Sequence, residues 1–112
     1  MLTIDALKNL GADTERGIAR CVGNEGFYLR MVTMALQDAG FEQLKEALEA
    51  DDLDTAFERA HALKGTTGNV SLTNLFDPIS EMTEELRARK AIDYSGYIEK
   101  IYTALDQYRA LL

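Results

Sequence analysis

The sequence is poor in the residues that build cross-links and metal sites. Among its 112 residues it has one cysteine, one histidine, one proline and no tryptophan. Because Cys21 has no partner, the chain can form no internal disulfide, and one cysteine with one histidine cannot make a Cys/His metal site. We therefore expect Cys21 to serve as a small apolar residue on a helix.

Long apolar runs and clusters of positive charge are also missing. No run approaches the roughly 18 residues that a transmembrane helix needs, and residues 1–20 contain no apolar segment typical of a signal peptide. The net charge of −7 disfavours binding to nucleic acid or to an anionic membrane surface. The sequence therefore predicts a soluble cytoplasmic protein that binds neither nucleic acid nor a membrane.

The residues that are abundant indicate one helical domain. Hydrophobic residues make up 46% of the chain, which is enough for one core, and no repeat or Pro/Gly-rich linker divides it. Apolar positions recur with helical spacing, which predicts an all-α domain over residues 1–112: an antiparallel four-helix bundle with one or two short N-terminal helices. The positions expected to face the core include Val22, Tyr28, Ala39, Leu63, Ile101 and Leu112. Since every apolar stripe can be covered within one bundle, we expect a monomer.

Capping residues predict where the helices begin and end. The predicted starts lie at Thr3, Asp13 or Thr14, Asn24, Asp51 or Asp52, and Asp93, and the two short helices are expected to end at Gly11 and Gly23. Gly40 interrupts the long pattern from Glu25 to Ala50, so a kink or a break is expected there. Pro78 either kinks the following helix or, with Asp77, begins it, and the sequence leaves both open.

One predicted helix carries the only candidate for chemistry. Its apolar face consists of Ala56, Ala60, Leu63, Thr67 and Val70. His61, Lys64, Gly65 and Gly68 are spaced i, i+3, i+4 and i+7, and they form a second stripe about 130° from the first. Each glycine in a helix interior costs roughly 1 kcal/mol relative to alanine. Two glycines beside the one imidazole indicate close approach, either by another protein or by a neighbouring helix of the same bundle.

The ten residues from Ala60 to Asn69 resemble the signature A-H-x-L-K-G-x-x-G-N of histidine-containing phosphotransfer (Hpt) domains. In that family a histidine accepts a phosphoryl group from a receiver-domain aspartate and passes it to another receiver. The resemblance implies that His61 is the phosphoacceptor, Lys64 the charge partner of the phosphoryl group, and Gly65 and Gly68 the clearance for the receiver. It also favours one bent helix over residues 25–50.

The resemblance extends over nearly the whole chain but weakens after the motif. Many Hpt domains have a glycine where this chain has Ser71, and a leucine-like residue where it has Pro78. Both residues lie beyond the phosphoacceptor, so we expect an altered path into the following helix. The starting Met1 and the complete helical pattern lead us to expect a free-standing module.

Phosphoryl transfer suits these residue types. A neutral imidazole is a competent nucleophile near pH 7, and a lysine three residues on can reach the charge of the product. The chain has no Gly-rich nucleotide loop and no carboxylate cluster in this stripe, so we expect a phosphoryl carrier without kinase activity or a cofactor. Magnesium is expected only in the partner, a receiver domain of a response regulator or of a hybrid histidine kinase.

Two other functions remain open from the sequence. The first is a helical adaptor that docks receiver domains or other helices without being phosphorylated, although such a protein would need neither His61 nor Lys64. The second is an enzyme that uses His61 as a general base, but no second catalytic group is visible. For the phosphorelay function we expect a docking patch around His61, rimmed by exposed apolar residues of the neighbouring long helix.

Overall fold

Seven α-helices and no strand form the fold in the computed structural model, which describes residues 1–112. The helices are α1 (Ile4–Asn9), α2 (Thr14–Arg20), α3 (Glu25–Leu36), α4 (Gly40–Glu49), α5 (Leu53–Asn69), α6 (Thr73–Arg87) and α7 (Ser95–Arg109). The predicted all-α fold with two short N-terminal helices is confirmed.

The four-helix bundle consists of α4, α5, α6 and α7, with neighbouring helices antiparallel. At one end of the bundle Gly68 of α5 lies beside Phe76 of α6. At the other end Arg89, just after α6, pairs with Asp54 at the start of α5 at 2.7 Å. The last helix, α7, packs on α6 and closes the bundle against α4, where the Tyr102 hydroxyl donates to a backbone carbonyl. α5 therefore lies between α4 and α6 with one face left for solvent.

Side-chain caps begin four of the helices where the sequence predicts them. Thr3, Asp13, Asn24 and Asp52 each accept the backbone N–H three residues later, at 2.9–3.2 Å. Such caps satisfy amide groups that have no partner within the helix. The predicted cap at Asp93 is one residue off, because α7 begins at Ser95 with Tyr94 in the capping position, although the Asp93 carboxylate accepts the Ser95 N–H at 2.9 Å.

The segment expected to be one bent helix is two helices. α3 ends at Leu36 and α4 begins at Gly40, and the two do not pack side by side. The Asp38 carboxylate accepts the Gly40 N–H at 2.7 Å, which starts the new helix. Arg109 of α7 donates from Nε to the Leu36 carbonyl at 2.8 Å and from Nη1 to Glu42 at 2.7 Å. These side chains satisfy backbone groups that an unbroken helix would pair internally.

Pro78 lies inside α6, five residues after the helix begins at Thr73. The possibility that Asp77 and Pro78 form its cap and first turn is therefore wrong. Proline has no N–H to donate, so α6 lacks the ladder hydrogen bond that would reach back to the Asn74 carbonyl. The Asn74 side chain, at the same level, accepts the hydroxyl of Tyr108, which fastens this part of α6 to α7.

The turn between α5 and α6 places Ser71 in the left-handed region, with φ of 56°. This conformation costs an L-residue roughly 1–2 kcal/mol, whereas glycine adopts it without that cost. The turn is closed by hydrogen bonds from Ser71 N–H to Gly68 O and from Leu72 N–H to Thr67 O, both at 3.1 Å. A glycine is thus the conformationally easier residue at this position, and the chain holds a nearly buried serine there instead.

Three residues expected to face the core are exposed. Val22 is 95% exposed because it lies in the left-handed turn after α2, at φ of 56°. Ala39 lies in the break between α3 and α4, and Leu112 lies beyond the end of α7 with 51% exposure. Cys21 is buried, as predicted. None of the seven helices combines the length and the apolar character that crossing a bilayer requires.

Candidate functional site

The orientation of α5 determines which side chains reach solvent. The Asp52 cap starts the helix, and Ala56, Ala60, Leu63 and Thr67 are buried along one face. The predicted inward stripe is therefore confirmed, including Val70 at the helix end. The small alanines let α4 and α6 approach α5 closely.

His61 is exposed on the opposite side of α5 and its ring nitrogens make no hydrogen bond within the protein. One turn earlier, the Phe57 ring lies 5.6 Å from the imidazole, centroid to centroid, with a tilt of 44°. The guanidinium carbons of Arg87 and Arg89 lie 5.0 and 4.6 Å from the centroid of the same Phe57 ring. The imidazole thus packs beside an aromatic ring that two guanidinium groups also contact. The nitrogens of the imidazole are free to react.

Lys64 lies one turn after His61 and lines the same groove. It is half-buried, and its ammonium group is in no ion pair within the protein. A cation whose stem is packed and whose charge is uncompensated favours the binding of an anion beside it. His61, Lys64, Gly65 and Gly68, the four residues expected at the site, all line this groove together.

The two glycines of the site have different surroundings. A β-carbon at Gly65 would meet nothing within 4 Å, so the packing of the domain does not require glycine there. A β-carbon at Gly68 would lie 3.0 Å from Cε1 of Phe76, tighter than side chains normally pack. Close packing of α5 against α6 therefore accounts for Gly68, whereas Gly65 leaves open space in front of the helix.

The groove that contains His61 has a volume of about 550 Å³ and lies between α2, α5 and the start of α6. Its lining is mostly polar: Asp13, Arg16, Arg20, His61, Lys64, Gly65, Gly68, Asn69, Ser71, Thr73, Phe76 and Asp77. The contribution of α2 was not predicted, because nothing in the spacing relates Arg16 and Arg20 to a helix more than forty residues later. Phe76 lies on the apolar pattern of α6, so the sequence did not indicate its place in this lining either.

The predicted apolar rim is only partly present. The exposed side chains of α4, the helix that packs on α5, are polar apart from Ala50 at its end. The exposed large apolar residues of the former long helix are Phe27 and Met34, both on α3. Around His61 itself the apolar surface comes instead from half-buried Phe57 and Phe76. No three His, Cys, Asp or Glu side chains come close enough together to hold a metal ion.

Comparison with protein families gives one match, and it covers most of the chain. The family model described as Hpt domain matches residues 30–111 of the 112. Comparisons with curated proteins and with solved structures found no match. Hpt domains are phosphocarriers of two-component phosphorelays and have no kinase site of their own. Since the matched residues include α4 to α7 and the whole His61 motif, the chain belongs to the Hpt domain family.

Proposed function

We propose that this protein is a phosphorelay intermediate that accepts a phosphoryl group on His61 from a receiver-domain aspartate and passes it to another receiver domain. The observation that carries the proposal is the exposed imidazole with unbonded nitrogens, lying in an open groove one helical turn from an unpaired lysine. A nucleophile must be accessible and unprotonated at the attacking nitrogen, and this placement meets the first requirement.

The transfer involves one bond exchange. A lone pair on a ring nitrogen of His61 attacks the phosphorus, a P–N bond forms, and the P–O bond to the aspartate breaks as the carboxylate leaves with its electron pair. Phosphoryl transfer depends mainly on alignment and on stabilising charge. Lys64 supplies a cation for the phosphoryl oxygens, and the partner receiver supplies the magnesium ion and the acidic residues around its aspartate.

The reverse reaction discharges the protein to a second receiver. An aspartate carboxylate attacks the phosphorus, the P–N bond breaks and the imidazole leaves as the neutral base. Both directions need the receiver to approach α5 closely, and the open space in front of Gly65 allows it. We further propose that the protein acts in the cytoplasm as a monomer, on receiver domains of response regulators or hybrid histidine kinases.

The alternative is a helical adaptor that docks receivers without being phosphorylated. Its support is the groove alone, which would accommodate a partner whether or not transfer occurs. The position of Lys64 favours the phosphocarrier, since its unpaired ammonium lies one helical turn from the imidazole and can neutralise part of the charge of a phosphoryl group there.

The decisive experiment is phosphotransfer from a panel of phosphorylated receiver domains to the wild type and to His61→Gln. Because His61 is the only histidine, any acid-labile, base-stable label on the wild type has one expected location. We expect label on the wild type and none on the variant. The variant should fold normally, within about 0.5 kcal/mol of the wild type, because the side chain is exposed.

A matched comparison tests the role of Lys64. Lys64→Ala should slow labelling, and Lys100→Ala, which removes an exposed lysine from α7 outside the groove, should not. Binding of receivers without any label on the wild type would support the adaptor. A large loss of thermal stability in His61→Gln would mean that the imidazole is structural.

A further inference from the structure

The short helix α2 forms one wall of the groove that contains His61, and it is held there by specific contacts. Arg20 donates from Nη1 to the Gly68 carbonyl at 2.7 Å, and the Asp13 N–H donates to the Ser71 carbonyl at 2.9 Å. Gly17 lets α2 lie against the Tyr28 ring, because a β-carbon there would be 2.3 Å from the ring. The position of α2 across the end of α5 is therefore fixed at both of its ends.

Arg16 lies between these two anchors and lines the groove. Its guanidinium makes no hydrogen bond and no ion pair within the protein, unlike that of Arg20. The two carboxylates of the groove, Asp13 and Asp77, pair with no cation either. In a chain with 19 acidic and 12 basic residues, an arginine left unpaired in a groove has its full set of five donors available to a ligand.

The anchors of α2 show which part of the groove Arg16 belongs to. The anchors of α2 contact Gly68 and Ser71, which lie seven and ten residues after His61. At 1.5 Å per residue, this end of α5 is roughly 10 Å or more along the helix from the imidazole. Lys64, three residues after His61, lies only about 4.5 Å along the helix from it. The helix that carries Arg16 is anchored at the end of α5 farther from His61, and a protein seated over the imidazole would cover it.

We propose that Arg16 is a specificity-determining residue that binds an aspartate or glutamate side chain on the docking face of the partner receiver, a proposal that rests on the phosphorelay function above. A guanidinium binds a carboxylate through two parallel hydrogen bonds, which sets the orientation of the partner as well as adding affinity. The region matched by the family model begins at Arg30, so α2 and Arg16 lie outside it.

Charge reversal at two positions tests the proposal. Arg16→Glu and Lys100→Glu change the net charge equally, but Lys100 lies on α7 and does not line the groove. Receivers that bind or label the wild type are titrated against all three proteins, and the dissociation constant and the transfer rate are measured separately. The half-life of phosphorylated His61 and the melting temperature are measured on each protein as well.

We expect Arg16→Glu to weaken receiver binding about tenfold or more and Lys100→Glu to weaken it less than about threefold. Arg16→Lys should recover only part of the loss, because it keeps the charge but not the two-pronged geometry. The half-life of the phosphohistidine and the melting temperature should not change. Equal effects of the two reversals overturn the proposal, as does a shortened half-life with unchanged binding, which would place Arg16 on the phosphoryl group.

The outcomes also separate this proposal from the proposed function. If the wild type binds receivers but takes no label, the phosphocarrier function is wrong, and the binding constants still test Arg16. If the wild type is labelled and Arg16→Glu binds as well as the wild type does, the carrier function stands and the role of Arg16 is wrong. If no receiver binds the wild type, both proposals fail.

Discussion

At the scale of single residues, the two glycines of the motif show that one sequence pattern can serve two physical purposes. Gly65 faces open space, and Gly68 lies against the Phe76 ring while its carbonyl accepts a hydrogen bond from Arg20. From the sequence both were expected to give clearance to a partner. Clearance stays a prediction for Gly65, whereas the packing of α5 on α6 already accounts for Gly68.

Alanine at each glycine gives different expected effects on stability. Gly65→Ala should raise the free energy of unfolding by about 0.5–1 kcal/mol, because alanine is the better helix former and the new methyl group meets nothing. Gly68→Ala should fall short of that gain by about 1–2 kcal/mol, since its methyl group would lie 3.0 Å from Cε1 of Phe76 and the ring must move to admit it. Urea denaturation of both variants measures this difference.

The two alanine variants also show whether phosphotransfer changes independently of stability. If Gly65 gives clearance to a receiver, Gly65→Ala should slow phosphotransfer although the protein is more stable. A Gly65→Ala variant that transfers as fast as the wild type would show that nothing outside the domain comes close to this residue. Equal stability of the two variants would contradict the packing of Phe76 against Gly68.

The sequence predicts that two residues of the site lie together when they are close in the chain. His61 and Lys64 lie on one helix, so their common face follows from the helical repeat. The contact of His61 with Phe57, four residues earlier, follows from the same repeat. The arginines around Phe57 and the α2 wall come from distant parts of the chain, and periodicity cannot relate them.

At the scale of helices, the break between α3 and α4 depends on α7. The apolar pattern continues through residues 37–39, and Gly40 alone does not decide between a kink and a break. The Asp38 carboxylate binds the Gly40 N–H from two residues away, and Arg109, 73 residues after Leu36, donates to the Leu36 carbonyl and pairs with Glu42, so the break is stabilised partly from α7. Helix starts with local side-chain caps were predictable for the opposite reason, since the cap and its amide are three residues apart.

We predict that Arg109→Ala destabilises the protein by about 1–3 kcal/mol, because it leaves the Leu36 carbonyl without its charged donor. The stability of Arg109→Lys should lie between that of the wild type and that of Arg109→Ala, since one ammonium nitrogen replaces the two guanidinium nitrogens that make these contacts. Arg30→Ala is the control, because Arg30 is exposed and contacts only the Phe27 ring. Thermal and urea unfolding give the comparison, and equal losses for the two alanine variants would contradict a special role for Arg109.

The pH dependence of the same contact has a defined sign. The hydrogen bond from Arg109 lowers the pKa of the Glu42 carboxyl below its usual value. The stabilisation is therefore present above the ordinary glutamate pKa and is lost as the pH falls through the lowered one. In Arg109→Ala this part of the acid sensitivity should disappear.

At the scale of the whole molecule, tyrosine hydroxyls link helices that are distant in sequence. Tyr28 of α3 donates to the Val70 carbonyl at 2.8 Å, Tyr102 of α7 donates to α4, and Tyr108 of α7 donates to α6. Burial raises the pKa of Tyr28 to about 12, with smaller contributions from Cys21 and Asp13. Burial also raises the pKa of Tyr102 and of Tyr108. The assembled bundle thus favours the neutral phenols.

We predict that the protein loses stability in alkali. The pKa of Tyr28 rises from 10.0 to about 12 on folding. The stabilisation that comes from its neutral phenol is therefore fully present below pH 10 and is lost as the pH rises towards 12. In this pH window, each such tyrosine lowers the free energy of unfolding by up to about 1.4 kcal/mol per pH unit. Urea denaturation at pH 8 and pH 11 should show a smaller decrease for Tyr28→Phe than for the wild type. An identical decrease in both proteins would mean that Tyr28 ionises as freely in the fold as in the unfolded chain.

The contact between His61 and Phe57 also makes the protein a natural spectroscopic probe of its own state. A protein with one histidine has one pair of carbon-bound imidazole protons, and no isotope labelling scheme is needed to assign them. With an aromatic ring centred 5.6 Å away, those protons experience a ring-current shift that depends on how the imidazole is turned. Any event that reorients or modifies this side chain can therefore be followed in real time as the movement of two resonances.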